Sequence, residues 1–247
     1  MFKKLLASIG VGSASVDTQI HQPELHPGQL MQGQVVVQGG QSEQAIEKIE
    51  LVLMTQAEQE RGDSERQVAW PLCRLPVSGG FVIGAGETRV FPFQMTLPLE
   101  TPVNALRTHS GRTPLVWVHT DLAIAAGVDS DDRDSLLVLP PAPLQTLLDA
   151  FARLDWYVYG SDVEVGTAHV GSTISTLGCY QEIELRPHGG SWRVQEIELT
   201  CLSDGRTTHV LVEVDIRFGR DSYYILQMGP DFARQDWVAI LRNTLPL

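Results

Sequence analysis

The chain has 247 residues, 43% of them hydrophobic and 19% charged, a composition that fits a folded globular protein and excludes a disordered one. Its formal net charge of −12 is spread evenly. Residues 1–139 carry 10 Lys/Arg against 16 Asp/Glu, and residues 140–247 carry 8 against 14. A surface this acidic repels a phosphate backbone and argues against nucleic acid as a main partner.

The N-terminal MFKKLLASIGVGSAS places two lysines before a short apolar run that Ser8, Gly10 and Gly12 interrupt. The segment is shorter than the roughly 15–30 residues of a secretory signal. It reads as a short amphipathic turn leading into a first strand. Lys3 and Lys4, at about 1 kcal/mol each, do not hold an acidic protein on a membrane surface. No window approaches the roughly 18 apolar residues of a membrane span. The expectation is a cytoplasmic protein with no stable membrane insertion.

Alternation of period two dominates the chain from there to Leu139. Leu30 to Gln38 (LMQGQVVVQ) reads as a strand entered through the turn-rich HPGQ. In IEKIELVL, Ile49, Leu51 and Leu53 share one face, while Lys48 and Glu50 share the other, solvated one. Gly86 to Pro98 alternates too, with Pro92 placing that strand at an edge or a bulge. Thr113 to Ala125 sets Val116, Val118, Thr120 and Leu122 against Leu115, Trp117, His119 and Asp121. SLLVL, Ser135 to Leu139, closes the set. Short strands between Gly, Pro and Asp turns point to an antiparallel sandwich.

After PPAP, Leu144, Leu147, Leu148, Phe151 and Leu154 recur at helical spacing, predicting a helix of about three turns that opens where proline is tolerated. A domain boundary is placed near Leu139, giving residues 1–139 and 140–247. Strands return over Asp162 to Gly171, in QEIELRP and VQEIELTCL on either side of HGGS, over Thr208 to Arg217 and over Ser222 to Met228. Trp237, Ile240 and Leu241 suggest a terminal helix. IEKIELVL and VQEIELTC repeat one pattern, which suits corresponding strands in two sandwiches of similar design; amphipathic strands also resemble one another by chance.

Little in the chain looks catalytic. Cys73, Cys179 and Cys201 are odd in number and lack a CxxC spacing, which fits unpaired thiols in a reducing compartment. The seven histidines show no HExxH, and no G-x-S-x-G elbow occurs. Gly84 and Gly86 in FVIGAGET lead into a strand, so they mark a turn and not a dinucleotide site. Aromatic residues make up only 7%, with tryptophans spread one per segment as in core packing. The loop VDSDDRD holds Asp129, Asp131, Asp132 and Asp134 around Arg133. The residues themselves allow two readings: a solvated turn or a calcium loop. The calcium reading departs from an EF-hand at its Gly and final Glu positions.

FKKLLASIGVGSASVDT (Phe2 to Thr18), HPGQLMQGQVVVQGG (His26 to Gly40) and QAIEKIELVLMT (Gln44 to Thr55) together resemble the bacterial sporulation-control family, and GVDSDDRDSLLVLPP (Gly127 to Pro141) is similar to the stretch closing that family's first domain. The resemblance implies an all-β chain of two tandem antiparallel β-sandwich domains of arrestin-like type, with a short helix after the boundary and a C-terminal helix. It implies a non-enzymatic regulatory or scaffold protein, without cofactors, that binds protein partners in stress, development or cell-cycle control. No catalytic residue belongs to the family's pattern. In arrestins a cluster of opposed charges holds the domains together, and Arg133 with its aspartates is the candidate here. The alternative function is a small-molecule or carbohydrate-binding β-sandwich module.

Overall fold

The computed structural model describes residues 12–247 apart from 63, 190–192 and 218. The amphipathic turn expected at the N-terminus and the tip of the HGGS turn lie outside the described residues.

The first half is a stack of two sheets. Strands β1 (Ser15–Ile20), β3 (Leu30–Gln38) and β7 (Thr88–Thr96) form an antiparallel sheet in the order β1-β3-β7. Pro92 sits in β7, at the edge of that sheet, where its missing N–H costs no ladder bond. The facing layer is built on β4 (Gln44–Arg61), which pairs with β5 (Ser64–Ser78), β6 (Phe81–Ile83) and β8 (Val116–Ile124). Between the layers lie Val35 and Val37 of β3, Ile49, Leu51 and Leu53 of β4, and Val118 and Leu122 of β8, all fully buried. The alternation read from sequence is therefore the inward face of each strand.

Two features depart from the sequence reading. VDSDDRD reads as a loop, whereas Ser130–Ser135 is a strand, β9, paired antiparallel with β8. SLLVL is not one strand: Ser135 ends β9, and Leu137–Val138 forms β10, which pairs in parallel with β2 (Glu24–Leu25). Backbone pairing, not side-chain pattern, defines both.

The second half opens with α1 (Ala142–Ala152), entered through Pro141 with Pro143 in its first turn. Strands β11 (Trp156–Val165), β14 (Cys179–Pro187), β15 (Val194–Ser203), β16 (Thr208–Ile216) and β17 (Ser222–Met228) follow in an antiparallel sheet ordered β11-β14-β15-β16-β17. β11 begins earlier than the expected Asp162, because the WYVYG run after the helix is already extended. Leu144, Leu147, Leu148 and Phe151 of α1 join Ile183, Leu185, Ile197, Leu199, Val210 and Val212 of the sheet in one apolar cluster. A last helix, α2 (Trp237–Thr244), packs on α1 and contributes Trp237 and Leu241. A two-stranded hairpin of β12 (His169–Val170) and β13 (Thr173–Ile174) touches β15 and β16. Against the apolar face of the five-stranded sheet, then, the described residues place the two helices where the sequence pattern suggests a second full sheet.

The sheets of the two halves are continuous. β11 meets β4 in parallel at Glu164 and Glu58, giving one ten-stranded sheet that includes both β4 and β15. IEKIELVL and VQEIELTC are thus strands of the same sheet, separated by β11 and β14. QEIELRP and VQEIELTC are direct neighbours, with Glu184 opposite Glu198.

Candidate functional site

The stretch between β7 and β8, residues 97–115, carries no regular strand but ties the halves together. His109 and Ser110 donate backbone N–H bonds to the Val158 and Tyr159 carbonyls at 3.0 and 2.8 Å, and Ser161 donates to the Arg112 carbonyl at 3.2 Å. The Gln181 side chain accepts from the Val103 N–H at 2.8 Å and donates to the Val103 carbonyl at 2.7 Å. Trp70 of β5 donates its indole N–H to the Leu177 carbonyl at 2.9 Å, with its ring against Gly178, whose φ of +70° suits only glycine well. Gly160 serves a different purpose: a Cβ there would press on Ser110 Oγ and the Arg112 guanidinium. Its absence lets Arg112 reach Glu184.

That contact anchors an acidic sheet face. Strand side chains alternate, so in β14, β15 and β16 every second residue points away from the core. Register then aligns Glu184 with Glu198 and Glu198 with Glu213, while Asp162 of β11 lies opposite Glu182. Like charges directly opposite one another are unfavourable, and the carboxyls respond. Burial, then neighbouring carboxylates led by Glu184 and Glu58, push Asp162 up to about 6. Burial, then Asp162 and Glu58, push Glu164 to about 7. Burial, then Glu198 and Asp162, push Glu182 to about 8. Burial, then Glu213 and Glu196, push Glu198 to about 7. The glutamates that the alternation assigns to a solvated face are therefore half-buried, and Glu184 is 9% exposed. Oxygens of Asp162, Glu164 and Glu182 lie within 4.8 Å of one another, the one metal-ligand spacing among the described residues; such hard oxygen donors suit Ca²⁺ or Mg²⁺.

Arg112 is the principal counter-charge, with its Nη2 2.5 Å from Glu184 Oε1. Among the described residues, Glu184 Oε2 is buried without a hydrogen-bond partner. Arg112→Ala is expected to destabilise the fold by about 1–2 kcal/mol at pH 7.5, below the cost of breaking a fully buried pair because Arg112 is half exposed. At pH 5, with more of the face protonated, the loss shrinks. Urea unfolding of the variant at the two pH values measures both.

The residues singled out in the sequence lie elsewhere. Asp129, Asp131, Asp132, Arg133 and Asp134 sit in or beside β9, the far end of the ten-stranded sheet from β17. Asp132 accepts from the Thr18 N–H at 2.7 Å and Asp129 from the Ile124 N–H at 2.8 Å. Burial, then Asp132, push Asp134 up to about 6. The Arg133 guanidinium lies 4.0 Å from the Trp117 ring centroid, a cation–π contact, and among the described residues no ion pair includes it. Among the described residues, the ion pair that bridges the halves is that of Arg112 and Glu184. Sequence reasoning missed them because they are 72 residues apart and only the crossing segment brings them together. The visible signal was the repeated Glu-x-Glu alternation.

Other candidates resolve into structure. Cys73, Cys179 and Cys201 are free, and burial pushes the Cys179 and Cys201 thiols up to about 12, far from nucleophilic poise. Trp117, Trp156 and Trp237 are buried, so among the described residues they offer no platform for a sugar.

A second feature of the junction is a cavity of about 250 Å³ between the halves, walled by Leu99 and Val103 from the first, by Pro143 and Leu144 after the boundary, by Tyr180 of β14 and by Arg206 in the turn between β15 and β16.

Comparison with known proteins matches the chain to a family. The family model described as SpoOM protein matches residues 2–218. The sporulation-control protein Spo0M of Bacillus subtilis (strain 168) is 34% identical over 218 residues, covering 87% of this chain and 81% of that protein. The crystal structure of Bacillus subtilis Spo0M superposes with a TM-score of 0.82 at 28% identity, covering 94% of this chain and 98% of that one. By sequence and by fold alike, the chain belongs to the Spo0M family of sporulation-control proteins.

Proposed function

We propose that this chain is a non-enzymatic, cytoplasmic regulatory scaffold of arrestin-like type that binds protein partners through the open edge of β17. The observation that carries the reading is the edge itself. β17 ends the ten-stranded sheet, and among the described strands none pairs with its outer side. Tyr223 and Ile225 stand on it 61% and 50% exposed. An unpaired edge accepts an extended segment by adding it as a further strand. Glu196, Glu198, Glu213, Asp215 and Asp221 border a shallow hollow near this edge, and Tyr223 donates its hydroxyl to Glu213 at 2.7 Å. The fitting partner is thus an extended basic segment, its main chain on β17 and its cations toward the carboxylates. Homology to a sporulation-control protein supports a regulatory role.

The test uses a labelled peptide of alternating lysine and valine, and a control with glutamate in place of lysine. The basic peptide is expected to bind the intact chain, weakening with salt. Tyr223→Lys with Ile225→Lys, both at exposed positions, is expected to weaken it at least tenfold. Proteins captured from the native cytoplasm should include some that the double variant fails to retain. Equal binding of both peptides, or equal binding to parent and variant, rejects this edge as the interaction site.

A further inference from the structure

The cavity at the junction has a chemistry of its own. Its walls come from four parts of the chain that only the native packing brings together: Pro27 in the turn before β3, the start of the crossing segment, the connector into α1, and the second-half sheet with its β15–β16 turn. Leu99, Val103, Pro143, Leu144 and Leu202 make it mainly apolar. Its volume of about 250 Å³ exceeds the roughly 150 Å³ in which an apolar cavity accommodates benzene. It approaches the range of small-molecule sites, which combine an apolar lining with a few polar groups that fix orientation.

The polar groups in the wall are mostly committed. Gln181 is bonded to both backbone groups of Val103 and to Ser161. Thr101 donates its hydroxyl to the Pro98 carbonyl at 2.7 Å. Glu100 carries the one negative charge of the lining, and both its oxygens accept from Thr176, at 2.7 Å from the hydroxyl and 2.9 Å from the N–H. Arg206 carries the one positive charge. Its backbone is fixed, since its N–H donates to Asp204 Oδ1 at 2.8 Å, but among the described residues no ion pair engages its guanidinium. A planar guanidinium with unspent donors at an apolar cavity matches a carboxylate that carries an apolar tail.

We propose that this cavity binds a small amphipathic carboxylate, with its aliphatic or aromatic tail between Leu99, Val103 and Leu144 and its carboxylate on Arg206. A ligand there touches both halves, so it stabilises their observed arrangement relative to any in which the junction opens. The site is separate from the β17 edge and independent of the protein-binding reading.

Octanoate, 1-octanol and octylamine, titrated into the intact chain by calorimetry at pH 7 and moderate salt, distinguish the possibilities. Octanoate is expected to bind with one-to-one stoichiometry and to raise the unfolding temperature, at least tenfold more tightly than octylamine and more tightly than octanol. Arg206→Gln, at an exposed position, is expected to weaken octanoate about tenfold while leaving octanol unchanged. Leu99→Trp, also at an exposed position, is expected to fill the cavity and weaken both. The proposal is overturned if octanoate fails to bind the correctly folded parent, if octylamine binds as well as octanoate, or if both variants bind octanoate like the parent.

Discussion

Phe151→Ala is expected to lower stability by about 3–5 kcal/mol, the usual cost of removing a fully buried aromatic side chain. Phe151 has no exposed surface and lies in the last turn of α1, in the same apolar cluster as the second-half sheet. The helix has little to hold it in isolation. Its N-cap is Pro141, which makes no side-chain cap bond, and its first turn carries no acidic residue to meet the helix dipole. An eleven-residue helix is marginal in water without tertiary packing. Leu144, Leu147, Leu148 and Phe151 supply that packing, so the cavity left by alanine loosens the helix as well as the sheet. For a chain of this size a loss of about 1 kcal/mol shifts the midpoint by roughly 2–4 °C. A fall on the order of 10 °C is expected in thermal unfolding, with a smaller fall for Phe151→Leu. Arg153→Ala, exposed just beyond the helix, should change little. If Phe151→Ala melts within a degree or two of the parent, α1 is not coupled to the sheet as its burial indicates.

Legibility of this fold in the sequence depends on where the side chains point. β3, β17 and α1 are legible because each buries one face and exposes the other, so the period is written in the residues. β9 is not legible. It is SDDRDS, without one apolar residue, and exists because its backbone pairs with β8 while Arg133 covers Trp117. β5 hides for another reason: Pro71 and Pro76 break its pattern, and each falls beside a register shift in its pairing with β4. The backbone pairing of β11 with β4 is a single residue pair and leaves no mark on either strand. The candidate sites were hidden in the same way. Each glutamate of the acidic face looks like an ordinary solvated position in its own strand, and only register stacks them. Arg206 lies in a turn, where sequence gives no hint of the apolar cavity behind it.

Acidification from pH 8 to about pH 5.5 is expected to stabilise this protein, the reverse of ordinary acid unfolding. In the unfolded chain the carboxyls titrate near 4. In the folded chain Asp162 titrates at about 6, Glu164 and Glu198 at about 7, and Glu182 at about 8. Between roughly pH 4 and pH 8 the folded state therefore holds more protons than the unfolded state, so stability falls as pH rises through that window and levels off above it. The groups facing these carboxyls reinforce the effect: Glu58, Glu60 and Glu65 from the β4–β5 hairpin, Glu184 within β14, and Glu196 and Glu213 from β15 and β16. Arg112, bound to Glu184, opposes it. Glu87 and Asp204 act with the opposite sign, since backbone hydrogen bonds hold their carboxyls below the usual range; the stability they contribute is lost only below about pH 4. Maximum stability is thus expected near pH 5. Because water reaches part of the face, the gain from pH 8 to pH 5.5 is set at about 2 kcal/mol, well below the sum of the shifts. That is a rise of roughly 5 °C in the unfolding midpoint. Glu182→Gln removes the most strongly shifted charge, so it is expected to raise the midpoint at pH 8, leave it nearly unchanged at pH 5.5, and narrow the difference between them. A parent as stable at pH 8 as at pH 5.5, with Glu182→Gln neutral or destabilising at pH 8, would show that the carboxylates across β11, β14, β15 and β16 are solvated well enough to ionise freely.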